Sequence, residues 1–329
     1  MKKIINKVEN CEVEMIQGMC KAYPKIVRKL DCGNVVVRTN KKVGKVALIS
    51  GGGSGHEPTH GGFVGEGMLD CAVAGAVYTS PTVDMIYEGI KEIATDKGVL
   101  MVVKNYTGDV MNFEMAAEMA EGEGIKTAEV VTNDDVAVQD SLYTTGRRGV
   151  AGTVFVHKCA GAAAEAGKSL DEVKAVAEKV IANVRTMGMA LTPSTVPAAG
   201  KPGFELGDDE IEIGIGIHGE PGTHKGKLAE ADEIVKMLLD KITADIEYGG
   251  KEVAVLVNGG GGTPLMELFI VNNAVSNFLE SCGCKIYKTY VGNYMTSLDM
   301  CGFSVSVLRL DDELKGYLDA PANAIAWKE

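Results

Sequence analysis

The sequence predicts an α/β protein built from two α/β domains, each with a largely parallel or mixed sheet flanked by helices. Short runs of continuous apolar residues alternate with stretches of helical periodicity, the pattern left by strands that are covered on both faces. These runs feed glycine-rich loops, where backbone must turn tightly or approach a ligand. At 329 residues the chain exceeds one ordinary core and suits two domains of roughly 150 residues each.

Residues 45–50 read as a buried strand running into Gly51-Gly52-Gly53-Ser54-Gly55-His56-Glu57-Pro58. A second strand, 72–77, ends at Tyr78-Thr79-Ser80-Pro81-Thr82, and helical periodicity follows over 83–95. The strand from Val99 to Val103 leads into Lys104-Asn105-Tyr106-Thr107-Gly108-Asp109 and a helix over 110–121. A fourth strand, 127–132, precedes two Ala-rich helices near 150–167 and 169–186. Ser169 with Glu172 three places on is a capping-box signature for the second of these. Residues 192–203 are too rich in Pro and Gly for a regular element and form a loop near the domain junction.

The second half opens with a strand, Ile211 to Ile217, and then His218-Gly219-Glu220-Pro221-Gly222. A helix around 228–243, a strand over 252–257, a glycine loop to Pro264 and a helix over 265–280 follow. Final strands lie at 285–291 and 303–309. The first domain is thus 1–185, with the glycine-rich loop, His56 and Asp109; the second is 186–329, with His218. Strand and glycine loop recur at 45–55 and 253–262, an echo that shared geometry explains as readily as shared function.

Net charge is −12, with 33 basic and 45 acidic residues, and no basic stripe is visible. This argues against nucleic acid as a partner, because phosphate neutralisation needs one. No stretch approaches the ~20 apolar residues of a membrane span. The N-terminus MKKIINKVENC has no apolar segment of a signal peptide, so the expected location is cytoplasmic. The eight Cys are then reduced, mostly buried as small hydrophobes. Cys282-Gly-Cys284 lacks the spacing of a zinc site, and no metal is expected.

The loops GGGSGH (51–56) and GGGGTP (259–264) lack the ending of a phosphate-binding P-loop, and neither fits the dinucleotide fingerprint. A tight turn needed for packing explains each alone. No protein-kinase signature is present either. Of the five His, His157 lies in an apolar helix and reads as structural, while His60 and His224 sit in loops. His56 and His218 each follow a strand and a glycine and precede Glu-Pro. Strand ends are where open α/β proteins place their chemistry, and neutral imidazole is a base and a nucleophile. Asp109 is a candidate for acid–base work and equally for the N-cap of the following helix.

Taken together, the segments resemble the substrate-binding subunit of the dihydroxyacetone kinases over essentially the whole chain. They are GGGSGHEPTHGGFVGEGML (51–69), YTSPT (78–82), KNYTGD (104–109), DDVAV (134–138), RRGVAGT (147–153), TVPAAGKP (195–202), GIGIHGEPG (214–222), TSLDM (296–300) and DAP (319–321). The resemblance implies that His218 carries dihydroxyacetone as a covalent hemiaminal. It implies that His56 and Asp109 flank the substrate hydroxyls as acid–base groups, and that Gly53, Ser54, Gly55 and Lys104 complete the substrate pocket.

The chain ends at Glu329 without the helical nucleotide domain that ATP-dependent members carry, so it looks like the phosphotransferase-linked form. The resemblance then implies no cofactor on this chain. A separate kinase subunit holds ADP and magnesium and is recharged from phosphoenolpyruvate by a phosphohistidine-bearing partner. It also implies a homodimer. Two alternatives stay open: a non-catalytic dihydroxyacetone-binding co-activator of a transcriptional regulator, and a kinase for a related ketose such as erythrulose.

Overall fold

The computed structural model describes residues 2–140 and 144–329. Six strands make the first sheet: β1 (Val27–Lys29), β2 (Val35–Arg38), β3 (Ala47–Ser54), β5 (Cys71–Val77), β6 (Val99–Lys104) and β7 (Thr127–Thr132), in the order β1-β2-β5-β3-β6-β7. Its core β5-β3-β6-β7 is parallel, and β1 and β2 add antiparallel at one edge. The second sheet holds β8 (Val184–Ala190), β9 (Glu210–Ile213), β10 (His224–Lys227), β11 (Glu252–Gly259), β12 (Lys285–Gly292) and β13 (Gly302–Arg309), in the order β10-β9-β8-β13-β11-β12. Among the described residues, only β11 and β12 pair in parallel there. A small third sheet joins β4 (Gly65–Glu66) to β14 (Asn323–Ala324).

The alternation of strand side chains dictates the layers. On β6, Val99, Met101 and Val103 face α2 (Val83–Ile93) and α3 (Thr107–Gly122), while Leu100 and Val102 point the other way. On β11, Val253, Val255 and Val257 face α6 (Ala231–Asp245) and α7 (Leu265–Ser281), while Ala254 and Leu256 point inward. The inward residues of both sheets meet α4 (Thr153–Glu165) and α5 (Leu170–Asn183) in one shared core. Small residues from Ala160 to Ala164 let α4 lie close; a Cβ on Gly161 would fall 2.5 Å from Met68 Cα. The result is a stack of helices, sheet, helices, sheet, helices, with the ends of β3 and β6 brought near the loop after β9.

Several elements differ from the sequence reading. The helix expected over 169–186 ends at Asn183, because Val184 already pairs with Leu308 as the start of β8. The strand expected over 211–217 stops at Ile213, since Gly214 takes φ +77° and turns the chain. Residues 11–22 (α1), the first two strands, and α8 (Asp312–Asp319) were not anticipated; α1 buries only Ile16, so its apolar pattern is faint. Only Cys71, Cys159 and Cys284 are buried, fewer than expected.

The end of α4 is fixed to the first sheet by charge. Arg38 Nη1 donates to Asp70 Oδ1 at 3.0 Å and also to Glu165; Lys45 Nζ lies 2.7 Å from Asp70 Oδ2, and Lys42 Nζ 2.7 Å from Glu165 Oε2. Burial alone would raise the Glu165 pKa, but Lys45, Lys42 and Arg38 outweigh it and hold the carboxyl at about 2, below its ordinary 4.5. A folded pKa below the unfolded one gives stability that is present above the ordinary carboxylate range and lost as pH falls through the folded value. Glu165→Gln should therefore cost about 2 kcal/mol at neutral pH, with the deficit vanishing toward pH 2. Denaturant unfolding at several pH values checks this, and a deficit independent of pH contradicts it.

Candidate functional site

The glycines read from the sequence as a loop are the last residues of β3 itself, and they are there for close approach. A Cβ on Gly52 would fall 2.5 Å from Lys104 Nζ, and one on Gly53 would fall 2.6 Å from Thr79 N. Room is thus kept for a fully buried lysine at the end of β6, whose Nζ lies 3.1 Å from Asp109 Oδ2. Asp109 is itself buried, in the first turn of α3, where the helix N-terminus favours its negative charge. It is not the N-cap; Tyr106 occupies that position and makes no side-chain cap bond. Lys104 and Asp109 therefore balance each other's charge inside the protein.

His56 follows directly and is fully buried. Its Nδ1 lies 2.8 Å from Thr296 O. A carbonyl only accepts, so Nδ1 carries the proton and Nε2 holds the lone pair. Nε2 has no partner. Burial first, then His218 and Lys104, push the His56 pKa well below its ordinary value, and the ring stays neutral. The Thr296 segment is held in turn by backbone: Thr296 N donates to His56 O, Leu298 N to Gly55 O, and Ser297 N to Gly260 O. The second glycine loop is thus a packing device, and a Cβ on Gly261 would fall 2.0 Å from Leu298 O.

His218 comes from the other half, on the turn after β9, and its side chain is mostly buried. Its Nδ1 lies 2.9 Å from Glu220 Oε1, and its backbone N–H donates to Glu220 Oε2 at 2.8 Å. The carboxylate wraps its own turn and fixes the imidazole. Burial pushes the Glu220 carboxyl up, but His218 and Arg148 more than reverse this and hold it at about 2. An ionised Glu220 only accepts, so here too Nδ1 carries a proton, and Nε2 is the nitrogen on which the neutral ring holds its lone pair.

The two imidazoles meet edge to face with ring centroids 4.7 Å apart. Tyr106 stands 4.7 Å from His218, and Tyr78 lies 5.2 Å from both His56 and His218, stacked on the former. Lys104 Nζ lies 5.2 Å from the Tyr106 ring centroid, which joins the Lys104–Asp109 pair to the histidines. Tyr78 takes φ +58°, and its hydroxyl bonds to Ser297 Oγ at 2.8 Å and Ser194 Oγ at 3.0 Å.

Of the other sequence candidates, Ser54 donates its hydroxyl to Gly75 O, and Gly55 N–H donates to Glu57. His60 and His157 form a buried pair, Nδ1 to Nε2 at 3.0 Å, behind the site. His224 is exposed on β10. Sequence reasoning gave no role to Glu220, Tyr78, Tyr106 or Thr296. Each lies in a quoted segment, and Glu220 sits two places after His218, where a turn brings its carboxylate back to the ring. Among the described residues no cluster of His, Cys, Asp and Glu is arranged to hold a metal, and no helix is long and apolar enough to cross a membrane.

The family model described as the Dak1 domain matches residues 17–326. The chain belongs to this family. The dihydroxyacetone-binding subunit of a PTS-dependent dihydroxyacetone kinase of Listeria innocua is 54% identical over 329 residues, spanning 99% of this chain and 100% of that protein. The corresponding subunit of a PEP-dependent dihydroxyacetone kinase of Escherichia coli is 43% identical and covers 99% of each chain. Among solved structures, a dihydroxyacetone kinase operon co-activator superposes with a TM-score of 0.91 at 37% identity, covering 98% of this chain and 99% of its own. The C. freundii dihydroxyacetone kinase superposes with a TM-score of 0.93 at 33% identity, and this Dak1 chain spans 60% of it.

The site makes a test of its own. A Cβ on Gly53 would meet backbone of Tyr78 and Thr79, which cannot swing aside as a side chain would. Gly53→Ala should cost about 1–3 kcal/mol. Thermal unfolding should show a lower midpoint, and an unchanged midpoint would contradict the packing described.

Proposed function

We propose that this chain is the dihydroxyacetone-binding subunit of a phosphoenolpyruvate-dependent dihydroxyacetone kinase, and that it holds its substrate as a hemiaminal on His218. One observation carries the reading: two imidazoles from different halves face each other, each with Nδ1–H committed to a fixed acceptor, so that Nε2 is the nitrogen left for chemistry on each ring. The relatives' functions agree with it.

The Nε2 lone pair of His218 becomes a bond to the ketone carbon. The carbonyl π pair moves onto oxygen, which is protonated from solvent. The ring is left as an imidazolium whose Nδ1–H faces the Glu220 carboxylate. A small polar ketone with little apolar area is held by this bond, and its translational freedom is removed before phosphoryl transfer. Glycerol offers no electrophilic carbon and escapes capture. His56 Nε2 or Asp109 takes the proton from the attacking hydroxyl, with Lys104 balancing the aspartate and Gly53, Ser54 and Gly55 shaping the pocket. The halves 1–185 and 186–329 thus divide the work, one supplying acid–base groups and the other the covalent anchor.

In this reading the phosphoryl group comes from a separate subunit that carries ADP and magnesium and is recharged through a phosphohistidine protein. This chain works as a cytoplasmic homodimer. Similarity to a co-activator supports a second reading, in which the same site binds dihydroxyacetone as a signal. Reconstitution separates the two. The chain alone with ATP should be inactive, and adding the ADP-loaded subunit with its phosphoenolpyruvate relay should produce dihydroxyacetone phosphate. No turnover in the complete system favours the signalling reading. Asp109→Asn should lower turnover by ~10²-fold or more, the scale of lost acid–base assistance, while leaving the adduct in place; full turnover by this variant would remove Asp109 from the mechanism.

A further inference from the structure

Arg148 lies on the segment between β7 and α4 and is fully buried. An arginine taken out of water needs partners in several directions, and its planar fork supplies donors to match. Nε donates to Asp135 Oδ2 at 2.8 Å, and Nη2 lies 2.7 Å from the same oxygen. Nη2 also donates to Gly214 O at 2.7 Å. Gly214 opens the turn that carries His218, so a side chain of the first half grips the catalytic turn of the second.

The third nitrogen, Nη1, is buried and has no hydrogen-bond partner. It lies beside Gly216, where a Cβ would fall 2.7 Å from Nη1 and 2.1 Å from Glu220 Oε2. The guanidinium and the carboxylate that orients His218 are therefore within about 5 Å of each other, a separation at which opposite charges in a buried setting attract strongly. Only the missing side chain of Gly216 lets them face one another.

We propose that Arg148 is a positioning residue for His218, gripping the 214–222 turn through Gly214 O and facing the Glu220 carboxylate that orients the imidazole. The proposal rests on the covalent-histidine reading above. Arg148 touches no reacting atom and acts through Glu220. Its own charge is balanced by Asp135, so the residues run in a line from the first half to the reacting nitrogen: Asp135, Arg148, Glu220, His218. Glu220 keeps a fixed counter-charge on its far side and returns both oxygens to His218. Two of the segments found in the sequence, 134–138 and 147–153, thereby acquire a role at the site although neither reaches the substrate.

The test uses dihydroxyacetone labelled with carbon-13 at the ketone, with the association constant of the tetrahedral adduct read by NMR for wild type, Arg148→Met and Arg148→Lys. Circular dichroism and thermal unfolding on the same samples show which variants are folded. Loss of the guanidinium should lower the adduct constant by roughly ten-fold or more, the scale of misplacing a reacting group by a fraction of an ångström. Lysine keeps the charge beside Asp135 but cannot hold Gly214 O and Asp135 together, so it should recover part of the loss and stay roughly three-fold below wild type. A folded Arg148→Met with the wild-type constant overturns the proposal. Should Arg148→Met not fold, Arg148→Lys decides alone: a lowered constant supports the proposal, and a wild-type constant overturns it. Absence of any tetrahedral carbon in wild type is a different result, which removes the covalent reading itself.

Discussion

The hydrogen bond from His218 Nδ1–H to the Glu220 carboxylate decides which ring nitrogen is free, and the chemistry of the site depends on that choice. With Nδ1 tied back to its own turn, Nε2 is the nitrogen left for chemistry on a ring packed against His56, Tyr78 and Tyr106. Without the carboxylate the ring could rotate or exchange its tautomer, and neither nitrogen would be reliably nucleophilic. His56 is fixed by the same logic with a backbone carbonyl in place of the carboxylate. The difference fits their tasks. In the proposed mechanism a charged acceptor would stabilise the positive charge that grows on His218 during addition, whereas the neutral acceptor suits a His56 that stays uncharged in its buried setting.

The fold exists to deliver these two rings from different sheets. β3 and β6 end side by side and supply His56, Lys104 and Asp109, as parallel strands supply the residues at their carboxyl ends. The second sheet supplies His218 from β9 and supports His56 through residues 296–298. Helices α4 and α5 between the sheets set the distance over which these loops meet, and the ion cluster at Glu165 fixes the end of α4. Glycine is used throughout for contact rather than for flexibility. At Gly52, Gly53, Gly216 and Gly261 a side chain would collide with the lysine, the neighbouring turn, the Glu220 carboxylate or a backbone carbonyl.

Much of this was legible in the residues. The strands of continuous apolar character and their glycine loops gave the α/β class, and His56, His218 and Asp109 were visible as loop residues after strands, while Lys104 was reached only through the family resemblance. The antiparallel strands were harder. β8 follows α5 with no intervening loop, so its residues extend the helical pattern in the sequence, and β10 reads His-Lys-Gly-Lys, with no apolar signal because it is an exposed edge. The N-cap alternative for Asp109 fails because Tyr106 begins the helix, which no spacing rule distinguishes. Thr296 and Glu220 hold the histidines across a long sequence separation and through a turn, and only three-dimensional proximity shows it.

The proposed mechanism turns on a bond between a ring nitrogen and a former ketone carbon. A crystal structure of the chain with dihydroxyacetone tests it most directly. Covalent capture should give continuous density from His218 Nε2 to a tetrahedral carbon, with Nδ1 still against Glu220. A planar ketone lying unbonded beside His218 at full occupancy, or a bond to Lys104 instead, would contradict it.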